Sequence, residues 1–232
     1  MKHLPSILLL IAVLFAPQGE SSQGFPVQAA DGKPAPQPAQ SRYTITDLGT
    51  LGGVTTKAMG INEDDQIAGA SQSGSYLFGF LWDGVTMTNL GNLGGKGSWA
   101  YDINDTGQVV GGSPLGSGDN HAFRWQSGSG MQDLGTLGGL SSYAFEINNS
   151  GQAVGYACCA PDTYLSHAVL WGSGGIVDLG DLDLMWPAIS AAYGINDAGQ
   201  VVGGSYDASA NFHAFLWQNG SIQDLGTLGG DY

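Results

Sequence analysis

The sequence predicts an all-β fold of tandem four-stranded repeats, arranged like the blades of a β-propeller. The motif Asp-Leu-Gly-Thr-Leu-Gly-Gly at 47–53 recurs, in varied form, from Asn89, Asp133, Asp178 and Asp224. The 39 glycines have no three-residue period and are interleaved with apolar strand formers, which is typical of turn-rich β structure. Each interval of about 45 residues has room for four short strands.

The second repeat shows how the four strands are predicted. Residues 100–103 form an alternating stretch that is predicted to pair with 108–111 across a turn at 104–107, where Asn104 begins an Asn-Asp-Thr-Gly sequence. A third strand is predicted at 121–125. The fourth follows a tight turn, as at 85–90 in the first repeat. Ile-Asn, with Gln four residues after the Asn, marks the first turn in every repeat.

Residues 1–30 are predicted to be a signal peptide, because Lys2 precedes an apolar run at 7–16 that is too short to span a bilayer. Residues 31–42 are Pro-rich and are predicted to be a linker. The repeat domain is predicted to cover 43–232, with an incomplete or open array favoured and a four-bladed ring, closed by pairing the opening strand at 43–48 into the last blade, as the alternative. Its units are 47–88, 89–132, 133–177 and 178–223, with a final partial unit at 224–232.

Charge and cysteine content exclude several classes of protein. Only 11% of residues are charged and the net charge is −14, so the chain repels nucleic acids and anionic membranes. No transmembrane segment is expected once the signal peptide is removed. Cys158 and Cys159 are adjacent, which allows a strained bridge, two free thiols or an intermolecular link, and excludes a disulfide framework.

The third strands carry a tripeptide that resembles a known family. It is His-Ala-Phe at 121–123 and 213–215, His-Ala-Val at 167–169 and Phe-Gly-Phe at 78–80. With the flanking motifs, the repeats resemble the HAF family of extracellular bacterial repeat proteins. The resemblance implies a secreted protein, extracellular or at the cell surface, with the periplasm as an alternative, and it implies no activity.

The repeated histidines are predicted to be structural, since a side chain that recurs in every blade usually satisfies the same local hydrogen bond. The first repeat has Phe78 in place of His and also Asn89 in place of Asp, so the two positions change together. This covariation predicts a contact between His and Asp within each remaining repeat. The predicted pairs are His121 with Asp133, His167 with Asp178, and His213 with Asp224.

Tryptophans divide into repeated and non-repeated positions. Those that end each third strand are predicted to be core residues, namely Trp82, Trp125, Trp171 and Trp217. Trp99 and Trp186 are not called for by the repeat, so they are predicted to bind a ligand. The other predicted binding residues are Tyr143, Tyr164 and Tyr206. The loops between second and third strands vary most and are predicted to lie on one face.

These features predict an exported binding module that recognises a glycan or a protein through loops on one face. A secreted carbohydrate-active hydrolase or lyase and a structural surface or adhesive repeat are the alternatives. No catalytic residue, cofactor or metal site is predicted, although weak calcium binding stays open. Carboxylates that converge beside Trp99 or Trp186 would favour the enzyme, whereas a loop face without perturbed acids would favour binding or a structural role.

Overall fold

The computed structural model describes residues 43–160, 165–182 and 189–229. The chain divides into two compact units, Met1–Leu48 and Gly49–Tyr232. The predicted signal peptide and linker lie outside the described residues, and residues 43–48 of the first unit are largely without regular structure. Within the described ranges no helix is long and apolar enough to cross a membrane.

In the second unit, the described residues form four antiparallel four-stranded sheets in tandem, which confirms the predicted all-β repeat fold. In every sheet the strands pair in chain order, first with second, second with third and third with fourth. Sheets 1 and 2 contain β1 (Thr56–Ile61), β2 (Ile67–Ser73), β3 (Tyr76–Trp82), β4 (Met87–Asn89), β5 (Trp99–Ile103), β6 (Val109–Pro114), β7 (Asn120–Gln126) and β8 (Gly130–Gly135). Sheets 3 and 4 contain β9 (Ser142–Ile147), β10 (Ala153–Cys158), β11 (Ser166–Gly172), β12 (Gly175–Gly180), β13 (Ser190–Ile195), β14 (Val201–Tyr206), β15 (Phe212–Gln218) and β16 (Ser221–Gly226).

The sheets are offset from the sequence repeats. Asn89 and Asp133, which open two of the sequence units, lie in the fourth strands β4 and β8. The motifs that begin at Asn89 and Asp133 therefore complete sheets 1 and 2, and the Gly-Gly loop after each leads into the following sheet.

Apolar side chains fill the space between consecutive sheets. We call the face of each sheet that meets the following sheet its trailing face, and the opposite face its leading face. Val110 and Ala122 on the trailing face of sheet 2 pack with Ala144, Ile147 and Val169 on the leading face of sheet 3. Equivalent clusters lie between sheets 1 and 2 and between sheets 3 and 4. The two interior sheets are therefore apolar on both faces, as the third strands predict.

The turns between first and second strands are joined across the sheets by asparagine side chains. Asn104 Oδ1 accepts the Gln108 N–H at 3.0 Å, and Asn104 Nδ2 donates to Gln108 Oε1 at 3.0 Å. The same Nδ2 donates to the backbone carbonyl of Asn148 in sheet 3 at 3.0 Å. Only an amide offers an acceptor and two N–H donors at this length, which explains why Asn occupies the position in every repeat.

This asparagine ladder, Asn62–Asn104–Asn148–Asn196, runs through all four sheets. Asn62 Nδ2 lies 3.1 Å from the carbonyl oxygen of Asn104, and Asn148 Nδ2 lies 3.0 Å from that of Asn196. Asn62, Asn104 and Asn148 are buried, whereas Asn196 is exposed. Among the described residues, the Asn196 amide donates only to its own Gln200.

Buried serines form a second link between sheets. The pairing of β7 with β8 has a register shift between Ala122 and Phe123, and the Ala122 N–H bonds outside this strand pair. That N–H donates to Ser142 Oγ of sheet 3 at 2.9 Å, and Ser142 Oγ donates to the carbonyl of Gly135 at 2.7 Å. Ser98 and Ser190 make the equivalent bonds. Each serine, at the start of a first strand or just before it, satisfies buried backbone groups of the preceding sheet.

The tryptophans that end the third strands differ in burial. Trp171 is 2% exposed, whereas Trp82, Trp125 and Trp217 are half-buried. Trp125 and Trp217 pack at the margins of the clusters between sheets. Although the four tryptophans share a position in the repeat, only Trp171 in sheet 3 is fully buried.

Replacement of Asn104 by Asp should destabilise the fold. Asp keeps the acceptor but loses both N–H donors and sets a carboxylate against two oxygens, so we expect a loss of about 2 to 4 kcal/mol in the free energy of unfolding. Asn196→Asp is the matched control, because Asn196 is exposed and its amide bonds within its own turn. Its cost should be below about 1 kcal/mol. Urea denaturation measures both, and equal losses would contradict the role of the ladder.

Candidate binding cleft

The connections between sheets and the loops between second and third strands lie at the same end of the array. The Gly95 N–H donates to the carbonyl of Pro114 at 3.0 Å, and the Gly139 N–H donates to that of Cys158 at 3.0 Å. Each Gly-Gly loop is thus tied to the end of the second strand in the sheet that follows it. This loop end lies opposite the asparagine ladder, because the two sets of turns are at opposite ends of the second strands.

A cleft of about 390 Å³ opens at the loop end between sheets 1 and 2. Four aromatic side chains contribute to it, together with a lysine and several small or polar residues. Its described lining is Ser75, Tyr76, Leu77, Lys96, Gly97, Ser98, Trp99, Tyr101, Gly112, Pro114, Asn120 and Tyr143. No Asp or Glu is among these lining residues, although the protein as a whole is acidic.

Trp99 and Tyr143 reach the cleft from equivalent positions in the first strands of sheets 2 and 3. Lys57 is their equivalent in sheet 1, and its Nζ lies 5.8 Å from the centroid of the Trp99 ring. The Tyr143 ring lies against the backbone of Gly112, where an added Cβ would come within 2.6 Å of the ring. Gly112 therefore leaves the space that admits the tyrosine.

Two lysines lie beside aromatic rings of the cleft. Lys96 Nζ lies 5.9 Å from the centroid of the Tyr76 ring. The described part of the chain contains only three Lys and Arg residues, and the third, Arg124, donates to the carbonyl of Gly151 at 2.7 Å. The other two, Lys57 and Lys96, each lie beside an aromatic ring of the cleft in a protein of net charge −14.

The phenols of Tyr101 and Tyr143 are neutral hydrogen-bonding groups at neutral pH. Burial raises the pKa of Tyr101, and burial with the nearby Cys158 thiol raises the pKa of Tyr143. A neutral phenol both donates and accepts a hydrogen bond, as a hydroxyl-rich ligand requires.

Of the predicted binding residues, the structure brings Trp99 and Tyr143 together in this cleft. Tyr206 lies in sheet 4, with its ring 5.1 Å from that of Phe212, and does not line the cleft. Tyr164 and Trp186 lie outside the described residues.

Sequence reasoning missed Tyr76, Lys96 and Tyr101 as cleft residues. Lys96 carried a signal, because it follows a Gly-Gly pair where the other repeats have Val54 and Leu140. A lysine at a position where other repeats have an apolar residue indicates that this position does not make the packing contact common to the repeats.

The His and Asp side chains of each predicted pair lie within hydrogen-bonding distance. The shorter contact between His Nδ1 and the Asp carboxylate is 2.9 Å for His121 and Asp133, 2.8 Å for His167 and Asp178, and 2.9 Å for His213 and Asp224. Each Asp also accepts the N–H of the glycine two residues later, as Gly135 shows at 2.8 Å. These contacts account for the Asp and Gly of the Asp-Leu-Gly motif.

In sheet 1, Asn89 stands in the position of this aspartate and keeps only one of its two contacts, the one within the turn. Asn89 accepts the Gly91 N–H at 2.8 Å, so it keeps the turn contact, and the opposing residue is Phe78 rather than His. Gly91 has a φ of 81°, a left-handed conformation that favours glycine. In sheets 2 to 4 a carboxylate thus faces an imidazole, and in sheet 1 both residues are replaced together, as the covariation indicates.

Two histidines face a second carboxylate through the other ring nitrogen. His167 Nε2 lies 3.4 Å from Asp181, and His213 Nε2 lies 3.6 Å from Asp207. The hydrogen bond with Asp178 raises the pKa of His167 against the opposing effect of burial, and the charges of Asp178 and Asp181 raise it further. Because the His–Asp pair recurs in three sheets, it indicates a structural contact between the third and fourth strands and not a catalytic group.

Two acidic groups outside the cleft have raised pKa values. Burial raises the pKa of Asp102, and burial with the charge of Asp102 raises the pKa of Glu146. Asp102 accepts the N–H of Ile147 in sheet 3 at 2.9 Å. Glu146 is likewise bonded to the backbone of Ile195 in sheet 4. These carboxylates therefore join first strands of neighbouring sheets.

Both cysteines are free thiols in the structure. Cys158 is buried at the end of β10, and Cys159 Sγ lies 3.6 Å from the carbonyl of Leu165. No group of His, Cys, Asp or Glu within the described ranges is arranged to hold a metal ion.

No protein-family model matches this chain, and no curated protein matches it. Among solved structures, the chain is similar to the crystal structure of a triple Arg-to-Ala mutant of AofleA from Arthrobotrys oligospora. The identity is 13% and the TM-score 0.35, and the match covers 80% of this chain and 76% of that chain. A likeness at this level carries no conclusion about ligand or activity.

Asp178→Asn should lower the pKa of His167, because it removes the strongest of the contacts that raise it. In the native protein, burial raises the pKa of Asp178, but its hydrogen bonds with His167 and Gly180 outweigh burial and lower it. The pair should therefore stabilise the fold fully between about pH 4 and pH 6.5, the ordinary values of the two groups. The contribution of the pair to stability is lost as the pH rises through the raised pKa of His167. It is also lost as the pH falls through the lowered pKa of Asp178. NMR titration of the imidazole tests the shift, and an unchanged His167 pKa in the variant would contradict it.

Proposed function

We propose that this protein is an exported glycan-binding module whose site is the aromatic cleft between sheets 1 and 2. The cleft combines aromatic faces with hydroxyl and amide groups, and sugars present apolar C–H faces and polar hydroxyl edges that match such a surface. Trp99 and Tyr143 carry the proposal, because both depart from the repeat and both reach the same cleft.

The lining favours binding over glycoside hydrolysis. Hydrolysis of a glycosidic bond usually requires two carboxyl groups on either side of that bond. Neither Asp102 nor Glu146, the acidic groups with raised pKa values, lines the cleft, and both are engaged with backbone N–H groups of the next sheet. A purely structural role would not require a tryptophan and a lysine at positions that the repeat leaves to other residues.

The lysines favour a glycan that carries carboxylate or sulfate groups. Lys57 and Lys96 supply the positive charge beside the rings, and the lining supplies no acid that would repel an anionic sugar. The rings then contribute apolar contact, and the lysines contribute charge complementarity.

Export and family membership are part of this proposal. They are supported by the apolar run after Lys2 and by the His-Ala-Phe tripeptides, which resemble those of the HAF family. An extracellular or cell-surface location would place the cleft among glycans, with the periplasm as the alternative.

Trp99→Ala should weaken glycan binding about 5- to 150-fold, since loss of one stacked ring costs about 1 to 3 kcal/mol of binding free energy. The purified protein is first screened on an array of neutral and acidic glycans, with and without calcium, and the affinity for a hit is then measured by calorimetry. Tyr206→Ala is the matched control, because this aromatic side chain lies outside the cleft. Unchanged affinity in the Trp99 variant, or no binding of any glycan, would refute the proposal.

Lys96→Gln should reduce affinity for an acidic glycan about three- to tenfold and leave binding of a neutral analogue nearly unchanged. Added salt should weaken acidic-glycan binding in the native protein more than in the variant. Equal effects on neutral and acidic ligands would show that Lys96 does not select charge.

A further inference from the structure

The last sheet has an uncovered trailing face. Val202 is 47% exposed, although its equivalents Val110 and Val154 in sheets 2 and 3 are fully buried. Ala214 is also exposed, whereas the equivalent Ala122 is buried. The residue types are those of an interior face, and within the described residues no following sheet lies on sheet 4.

The first sheet has a matching open strip on its leading face, along β1. Ile61 is 51% exposed, and its equivalents Ile103 and Ile147 are buried. Ile67 and Phe80, on β2 and β3 of the same face, are buried, so only the strip along the first strand is open. In the three internal interfaces, the first strand of the following sheet packs against the second and third strands of the preceding one. The open strip is therefore the part that such an interface uses most.

The polar links are also left open at these two surfaces. Asn196 makes no bond to a following sheet within the described residues, although Asn62, Asn104 and Asn148 each make one. The carbonyl of Asn62 accepts an N–H from its own turn at Asp65, whereas that of Asn148 also accepts the Asn104 amide. A bond from Asn196 to Asn62 of another molecule would extend the ladder.

The residue after each ladder asparagine repeats this pattern. The Glu63 N–H donates to Asp105 Oδ1 at 2.9 Å, and the Asn149 N–H donates to Asp197 Oδ1 at 2.8 Å. In each case a side-chain oxygen in one sheet accepts an N–H of the preceding sheet. Glu63 is thus the acceptor that the Asp197 N–H would meet in a following sheet.

We propose that the chain associates head to tail with a second copy of itself, with sheet 1 of one molecule packed on the trailing face of sheet 4 of another. The same interface already occurs three times within the chain, and its two halves stand open at opposite ends of the described array. Such a contact is heterologous, so repeated addition builds a ring if the rotation closes and a filament if it does not. The net charge of −14 opposes association, which should therefore strengthen with added salt.

Sedimentation velocity of the full chain over a range of concentrations tests this proposal. The native protein should form dimers or larger species, and Val202→Glu or Ile61→Glu should weaken association about a hundredfold, because either places a charge in an apolar contact. Val85→Glu is the matched control, since Val85 is 87% exposed in the turn between β3 and β4. Circular dichroism verifies that each variant is folded, which the exposure of the substituted positions favours.

Mixing the two interface variants distinguishes a head-to-tail contact from a symmetric one. The Val202→Glu protein keeps its open strip and the Ile61→Glu protein keeps its trailing face, so together they should form a 1:1 dimer and nothing larger. A native protein that stays monomeric at all concentrations and salt levels would overturn the proposal. Association that Val202→Glu leaves intact would also overturn it. A mixture of the two variants that forms no dimer would overturn it as well, and this result is expected if a further repeat of a longer chain, and not a second copy, covers the trailing face of sheet 4.

Discussion

Contact between consecutive sheets is the interaction on which the rest of this structure depends. A four-stranded sheet with apolar residues on both faces cannot bury them alone, so each sheet relies on its neighbours. Apolar packing supplies the area, and the asparagine ladder and buried serines fix how one sheet sits on the next. The Asn position illustrates the constraint, because one amide closes its own turn and also bonds the carbonyl of the following turn, as Asn104 does with Gln108 and Asn148.

The candidate site arises at one of these contacts. Trp99 and Tyr143 occupy equivalent positions in neighbouring first strands, so the stacking of sheets brings the two rings to the same cleft. Gly112 leaves room for the Tyr143 ring, and Lys57 approaches the Trp99 ring from sheet 1. Function, in this view, uses positions near the loop end where the repeat tolerates variation, while the ladder end keeps the sheets in register.

Sequence periodicity predicts much of this architecture because each repeat solves the same packing problem with the same residues. The four-strand pattern and the joint change at Phe78 and Asn89 could be read from the chain, since both depend on local pairing within a sheet. The cleft could be predicted only in part. Tyr76 and Lys96 lie in different sequence repeats, and nothing local shows that the sheet contact brings them within 5.9 Å of each other.

The unequal burial of repeated residues likewise depends on position in the array. Ala58 and Ala144 have the same place in their first strands, yet Ala58 is exposed and Ala144 is fully buried beneath the preceding sheet. The most direct test compares Ala58→Glu with Ala144→Glu by urea denaturation, at a concentration where the chain is monomeric. The account predicts a loss of about 3 to 5 kcal/mol for Ala144→Glu, which buries an unpaired charge, and a change within about 0.5 kcal/mol for Ala58→Glu. Equal losses at the two positions would contradict it.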